Sequence, residues 1–202
     1  MTKIKLCGLS RKEDIKAANA LAPDFIGFVF AEKSKRRVTH IEAVELKAEL
    51  KPEIKAVGVF VNADINEVSS LLNLGVIDIA QLHGDEDDEY INKLKLVTDR
   101  PIIKAFTVKS TADILNAEKS SADCVLLDAG KGDGKSFDWS LIQGISRPYF
   151  LAGGLDTDNA VRAVREIRPY AVDVSSGIET DGVKDRNKMA EFVSAVRKEG
   201  NL

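Results

Sequence analysis

Lys3-Ile-Lys-Leu-Cys7 and Cys124-Val-Leu-Leu-Asp128 are short strand-like runs, and each ends in a side chain that can move a proton. Runs of the same kind end near Phe30, Val61, His83, Phe106, Ala152 and Ser175. Successive ends therefore lie roughly 22 to 31 residues apart, the length of one strand-loop-helix-loop unit. Eight such units predict an α/β protein built as one (β/α)8 TIM barrel around a parallel eight-stranded core. In that architecture the C-terminal ends of the strands form the working face and the opposite rim serves stability. Cys7 and Asp128 are both expected on the working face.

Working outward from these runs, Ile26-Gly-Phe-Val-Phe30, Ala56-Val-Gly-Val-Phe-Val61, Ile77-Asp-Ile-Ala-Gln-Leu82 and Pro101-Ile-Ile-Lys-Ala-Phe106 are too apolar to be half-exposed strands. Near-continuous apolarity fits a parallel sheet covered by helices. Between them, 41–50, 65–74, 85–96 and 111–117 carry apolar residues at helical spacing, with acidic or hydroxyl residues near their starts. Ser10 is a candidate N-cap for a helix bearing Ile15, Ala18 and Leu21 on one face. The closing helix, Asp185 to Lys198, places Met189, Phe192, Val193 and Val196 together and puts Arg197 and Lys198 at the negative end of its dipole.

The 202 residues sit near the short end of the barrel range of about 200 to 250, which leaves room for one catalytic domain spanning 1–202. A hydrophobic content of 44%, a charged content of 30% and a net charge of -3 describe a globular chain with no electrostatic case for nucleic acid or an anionic membrane. No apolar run approaches the ~18 residues of a membrane span, and the start lacks the core of a secretory signal, which predicts a cytoplasmic protein. Cys7 and Cys124 are too far apart in sequence for a zinc-type pairing, and His40 and His83 have no metal-site spacing, so no metal is expected.

Side chains alternate along a strand, so if Cys7 points into the barrel mouth, Lys5 points into the interior below it, where a charge needs a partner. Asp173 lies two residues before Ser175 on strand 8, which neighbours strand 1 in a closed barrel, and a Lys5–Asp173 ion pair follows. The alternative is a bulge that turns Lys5 outward. Leu151-Ala-Gly-Gly-Leu155 and Val174-Ser-Ser-Gly-Ile178 end strands 7 and 8. Their glycines let backbone amides approach an anion, and barrels often bind phosphate with these two loops, which makes Gly153, Gly154, Ser175, Ser176 and Gly177 candidate ligands. The plainer reading of Gly153 and Gly154 is a tight strand-to-helix turn. Gly130-Lys-Gly-Asp-Gly-Lys-Ser136 approaches a nucleotide-binding P-loop, but Ala129 stands where its first glycine belongs. A glycine-rich loop able to close over a ligand is the simpler account.

Lys5-Leu-Cys-Gly-Leu9, Gly27-Phe-Val-Phe30, Lys33-Ser-Lys-Arg-Arg-Val38, Gln81-Leu-His-Gly84, Gly134-Lys-Ser-Phe-Asp-Trp139, Ala152-Gly-Gly-Leu155 and Asp173-Val-Ser-Ser-Gly-Ile-Glu179 together resemble, in order, the phosphoribosylanthranilate isomerase family of tryptophan biosynthesis. The departures are Lys35 and Asp181 in place of usual prolines and Lys131-Gly-Asp133 in place of a commoner Gly-Gly-Thr. The resemblance implies an aldose-ketose isomerase that performs an Amadori rearrangement of N-(5'-phosphoribosyl)anthranilate without a cofactor. It implies Asp128 as general acid, Cys7 as general base and Arg36 as the partner of the substrate carboxylate, for which a planar guanidinium offers two parallel hydrogen bonds.

Each assignment has a plainer counterpart. A short thiol often only packs, an aspartate at a strand end often caps a turn, and Lys33, Lys35, Arg36 and Arg37 could form a solvated loop. Cys124, four residues before Asp128, reads as buried filler, and His40 starts a helix. His83 either lines the substrate pocket or bonds a loop carbonyl. Competing enzymes on this fold, an indole-glycerol-phosphate synthase relative or a ribulose-phosphate epimerase, would need a catalytic lysine set or metal-binding histidines that are missing. A phosphosugar-binding barrel without turnover is the alternative from another class. The expected partner is a small phosphosugar, and the protein is expected to be a monomer or homodimer.

Overall fold

The alternation of apolar strand and amphipathic helix closes into a barrel. The structure, a computed structural model, describes residues 1–128, 138–142 and 144–200. Strands β1 (Lys3–Cys7), β2 (Phe25–Val29), β3 (Lys55–Phe60), β4 (Ile79–Leu82), β5 (Ile102–Thr107), β6 (Cys124–Asp128), β7 (Tyr149–Leu151) and β8 (Ala171–Val174) pair in parallel in chain order. β8 returns to β1, with Lys5 directly beside Asp173. Every strand end lies within a residue of the position expected from the spacing. Outside run α1 (Lys12–Leu21), α2 (His40–Glu49), α3 (Ile65–Asn73), α4 (Asp88–Lys95), α5 (Thr111–Lys119), α6 (Thr157–Ile167) and α7 (Arg186–Gly200).

Strand parity divides the core into concentric parts. Ile4, Leu6, Ile26, Phe28, Ala80 and Leu82 face outward and pack with the helices, whereas Phe25, Val57, Ile103, Leu126 and Phe150 fill the interior. Above that filling, Cys7, Val29 and Val59 form a smaller cluster at the mouth. Lys5 and Asp173 join the interior layer, and the Lys5 Nζ–Asp173 Oδ2 distance of 2.7 Å realises the ion pair expected from parity, with Lys5 fully buried. Burial alone would lower the Lys5 pKa, but Asp173 and the Cys7 thiol outweigh it and hold the ammonium above its usual value.

Two expectations need correction. Where the spacing predicts a helix after β6, the described residues of that connection carry a 3-10 turn, Trp139–Leu141, begun by the Asp138 carboxylate accepting the Ser140 amide. Ser10 is not the cap of α1. Arg11 takes that position, and the Asp14 carboxylate, one turn inside, accepts the Ser10 and Arg11 amides at 3.0 and 3.1 Å. A buried carboxylate that satisfies two free amides at once does the work of a hydroxyl cap from inside the helix.

Candidate active site

The strand ends converge on one rim. Cys7 closes β1 and is buried, and a β-carbon added at Gly27, its neighbour on β2, would come within 2.6 Å of the thiol sulfur. Only glycine at 27 leaves room for the sulfur. Burial pushes the Cys7 thiol above its usual pKa; the Lys5 and Lys184 charges pull it down, and Asp173 adds to the rise. The Cys7 carbonyl accepts the Ser175 hydroxyl at 3.2 Å, tying β1 to the β8 loop.

Asp128 closes β6 three strands away around the rim, with β7 and β8 between. Its Oδ2 lies 3.0 Å from His83 Nε2, and His83 Nδ1 lies 2.9 Å from Gln81 Nε2. His83 therefore meets a carboxylate rather than the loop carbonyl considered for it. His40 starts α2 and pairs with Glu67 at 2.9 Å. Cys124 sits at the far end of β6 from Asp128, half-buried, with its thiol 3.1 Å from the Pro148 carbonyl and its pKa pushed up to about 11 by burial.

Arg36 is held by Glu179 through two bonds, Nε–Oε1 at 2.5 Å and Nη2–Oε2 at 2.8 Å. Its aliphatic stem lies over Gly8, whose φ of 77° and whose closeness to Arg36 Cδ both demand glycine after the cysteine. Glu179 also accepts Lys184 Nζ at 2.6 Å. Burial would raise the Glu179 pKa, but the two cations outweigh it and hold the carboxyl below its usual range. For Lys184, burial outweighs the pairing with Glu179, and the ammonium is lowered. Lys184 also donates to the Ser175 carbonyl at 2.8 Å, so these charges brace the β8 loop internally and, through Arg36, tie it to the loop after β2.

Gly153 and Gly154 adopt φ of 89° and 61°, and the Gly154 carbonyl accepts Asn159 Nδ2 at 2.8 Å. Ser176-Gly177-Ile178 forms a 3-10 turn. A side chain at Gly177 would overlap the Leu155 carbonyl oxygen, so the β7 and β8 loops touch there. That contact alone requires glycine at 177, whatever ligand the loops take. β9 (Glu179–Thr180) and β10 (Val183–Lys184) then form a hairpin whose turn residues, Asp181 and Gly182, have φ of 53° and 79°. Proline cannot adopt the Asp181 conformation, so this departure from the family pattern belongs to the turn itself.

The sequence motifs thus bring Cys7, Arg36, His83, Asp128 and the two glycine-bearing loops to one mouth. Gln81, Glu179 and Lys184 join them without having been singled out. Glu179 closes the Asp173-to-Glu179 motif, but Lys184 carries no signal in the sequence. The Gly130-to-Ser136 loop lies outside the described residues. Among the described residues no group of three His, Cys, Asp or Glu side chains could hold a metal ion, and no helix is long and apolar enough to cross a membrane.

The profile of the N-(5'phosphoribosyl)anthranilate (PRA) isomerase family matches residues 4–195. The chain is 45% identical to the N-(5'-phosphoribosyl)anthranilate isomerase of Endomicrobium trichonymphae over 98% of this chain and 99% of that one. It superposes on the crystal structure of the phosphoribosyl anthranilate isomerase of Thermotoga maritima with a TM-score of 0.88 at 34% identity, covering 98% of this chain and 100% of that one. A further structure, at TM-score 0.86 and 34% identity over 98% and 100% of the two chains, is of a phosphoribosyl anthranilate isomerase in complex with reduced 1-(o-carboxyphenylamino)-1-deoxyribulose 5-phosphate. With the barrel, the mouth and the family match agreeing over nearly the whole length, the chain belongs to the N-(5'-phosphoribosyl)anthranilate isomerases, the enzymes of the isomerisation step in tryptophan biosynthesis.

Proposed function

We propose that this mouth converts N-(5'-phosphoribosyl)anthranilate into 1-(2-carboxyphenylamino)-1-deoxyribulose 5-phosphate with Asp128 as general acid and Cys7 as general base. The observation that carries the reading is the location of both groups on one rim, at the ends of β6 and β1. Asp128 protonates the furanose ring oxygen as the bond from C1' to that oxygen breaks, leaving a Schiff base. The Cys7 thiolate then removes the proton from C2', the electron pair shifts toward nitrogen, and the resulting enolamine tautomerises to the aminoketone. Lys5 below the sulfur and Lys184 beside it supply positive charge where the thiolate forms.

Arg36 binds the anthranilate carboxylate, and Glu179 holds its guanidinium at the mouth until substrate arrives. Gly153, Gly154, Ser175, Ser176 and Gly177 receive the phosphate: positive φ at the two glycines frees their amides for an anion, as loops after strands 7 and 8 commonly do in this fold. His83 faces the substrate pocket beside the acid. The ligand named for the related structure, a reduced form of the proposed product, supports this substrate class.

The test is the loss of anthranilate fluorescence when purified protein meets phosphoribosylanthranilate. Cys7→Ala and Asp128→Asn are each expected to lower kcat by at least about 10²-fold with circular dichroism unchanged, and Cys124→Ala to remain near wild type. Near-normal turnover in a folded Cys7→Ala protein would return that thiol to a packing role.

A further inference from the structure

Gln81 is almost fully buried, and its position beside Val59, an interior residue of β3, turns its side chain toward the barrel axis. An amide in that wall needs a reason. Its Nε2 lies 2.9 Å from His83 Nδ1, and its Oε1 is buried without a hydrogen-bond partner. An amide nitrogen only donates, so Nδ1 accepts, the imidazole proton sits on Nε2, and Nε2–H is what Asp128 Oδ2 receives at 3.0 Å.

The residue between these contacts is held from three sides. The His83 amide donates to the Phe60 carbonyl at 2.8 Å. The buried Lys104 ammonium donates to the carbonyls on either side of His83, Leu82 at 3.4 Å and Gly84 at 2.6 Å. Glu86 accepts Lys104 and the Gly84 amide, at 3.2 and 2.8 Å, and completes the clamp. These bonds fix the backbone at His83, and from that fixed point the imidazole meets Gln81 and Asp128 through its two ring nitrogens.

We propose that Gln81 and His83 are positioning residues for the acid: Gln81 selects the Nε2–H tautomer of His83, and His83, by donating to Oδ2, confines the transferable proton of Asp128 to Oδ1. The proposal rests on the reading of Asp128 as the acid. It adds an orientation that the reaction requires, because the ring oxygen takes the proton from one carboxyl oxygen held toward it. Turning the Gln81 amide over would instead demand a proton on Nδ1 and make Nε2 an acceptor, which is the arrangement the experiment must separate.

The chain has only two histidines, so nitrogen NMR of protein labelled at histidine, with His40→Gln to assign the second signal, reads the His83 tautomer without substrate. The proposal expects a protonated Nε2 and a lone pair on Nδ1; a protonated Nδ1 in wild type overturns it, even if Asp128→Asn proves the acid assignment correct. Gln81→Glu keeps the shape but only accepts, so it should move the proton to Nδ1 and lower kcat about 10- to 100-fold while KM stays within about twofold. His83→Gln keeps an N–H near the Nε2 position, and His83→Asn does not reach it. The first should retain at least about tenfold more kcat than the second. Equal kcat in those two variants, or wild-type kcat in a folded Gln81→Glu protein, also overturns the proposal.

Discussion

Lys5→Met removes the ammonium from a fully buried pair and leaves Asp173 to face the barrel interior alone. At the observed 2.7 Å the two charges attract by about 6 kcal/mol at an effective dielectric of 20, most of which offsets the loss of hydration. The net cost of removing one partner is expected to be larger than for a surface pair, because Asp173 Oδ1 already lacks a hydrogen-bond partner and Oδ2 would lose its own. Breaking one side of a buried pair typically costs about 3–5 kcal/mol. For a chain of this size each kcal/mol moves Tm by about 2–4 °C, so Lys5→Met should melt about 6–20 °C lower in a circular dichroism scan. Asp173→Asn should lose less, since its amide can still accept from Lys5. Lys5→Met combined with Asp173→Leu should recover much of the loss, because no uncompensated charge remains. The same variant should slow alkylation of Cys7 at fixed pH, since the Lys5 charge opposes the rise that burial imposes on the thiol. A drop of less than about 3 °C for Lys5→Met would refute the reasoning, for it would mean that water or another cation reaches Asp173.

Gly154→Asp should raise KM for phosphoribosylanthranilate at least about tenfold, because its carboxylate would repel the phosphate dianion and φ of 61° suits glycine; unchanged KM would remove this loop from the phosphate site. Arg36→Lys should raise KM despite keeping charge, since an ammonium cannot form the two-pronged contact that Arg36 now makes with Glu179; steady-state kinetics equal to wild type would exclude it. Glu179 is held below its ordinary pKa, so its contribution to stability is full above the unfolded value of about 4.3 and is lost as pH falls through the folded value. Urea unfolding should therefore show a gap between wild type and Glu179→Gln that is open at pH 6 and narrows as pH falls below the unfolded value; a gap constant with pH would refute it.

The barrel was legible because a parallel sheet buried on both faces imposes a length on every repeat, and strand alternation alone linked Lys5 to Asp173 across 168 residues. Alternation is a local rule that closure converts into a distant contact. No comparable rule connects Arg36 to Glu179, 143 residues apart, or His83 to Asp128, 45 apart, since neither pair lies on neighbouring barrel strands and both meet through side chains at the rim. Their separate motifs were visible, but not their contact. The turn at Trp139–Leu141 was hidden because a repeat length of the right size does not say whether a helix fills it. The cap of α1 was misplaced because Ser10 has the right chemistry, whereas Asp14, one turn further on, has the right reach.

Closure of β8 onto β1 also orders events during synthesis. Lys5 and Cys7 leave the ribosome 168 residues before their respective partners Asp173 and Ser175. Until strand 8 docks, the first strand has an open edge and carries an ammonium with no counter-charge, a state that disfavours any seven-stranded sheet sealed prematurely around a dry interior. The buried pair thus works as a completeness check: the nascent chain can collect helices and strands in order, but the pocket around the thiol takes shape only when the last strand reaches the first.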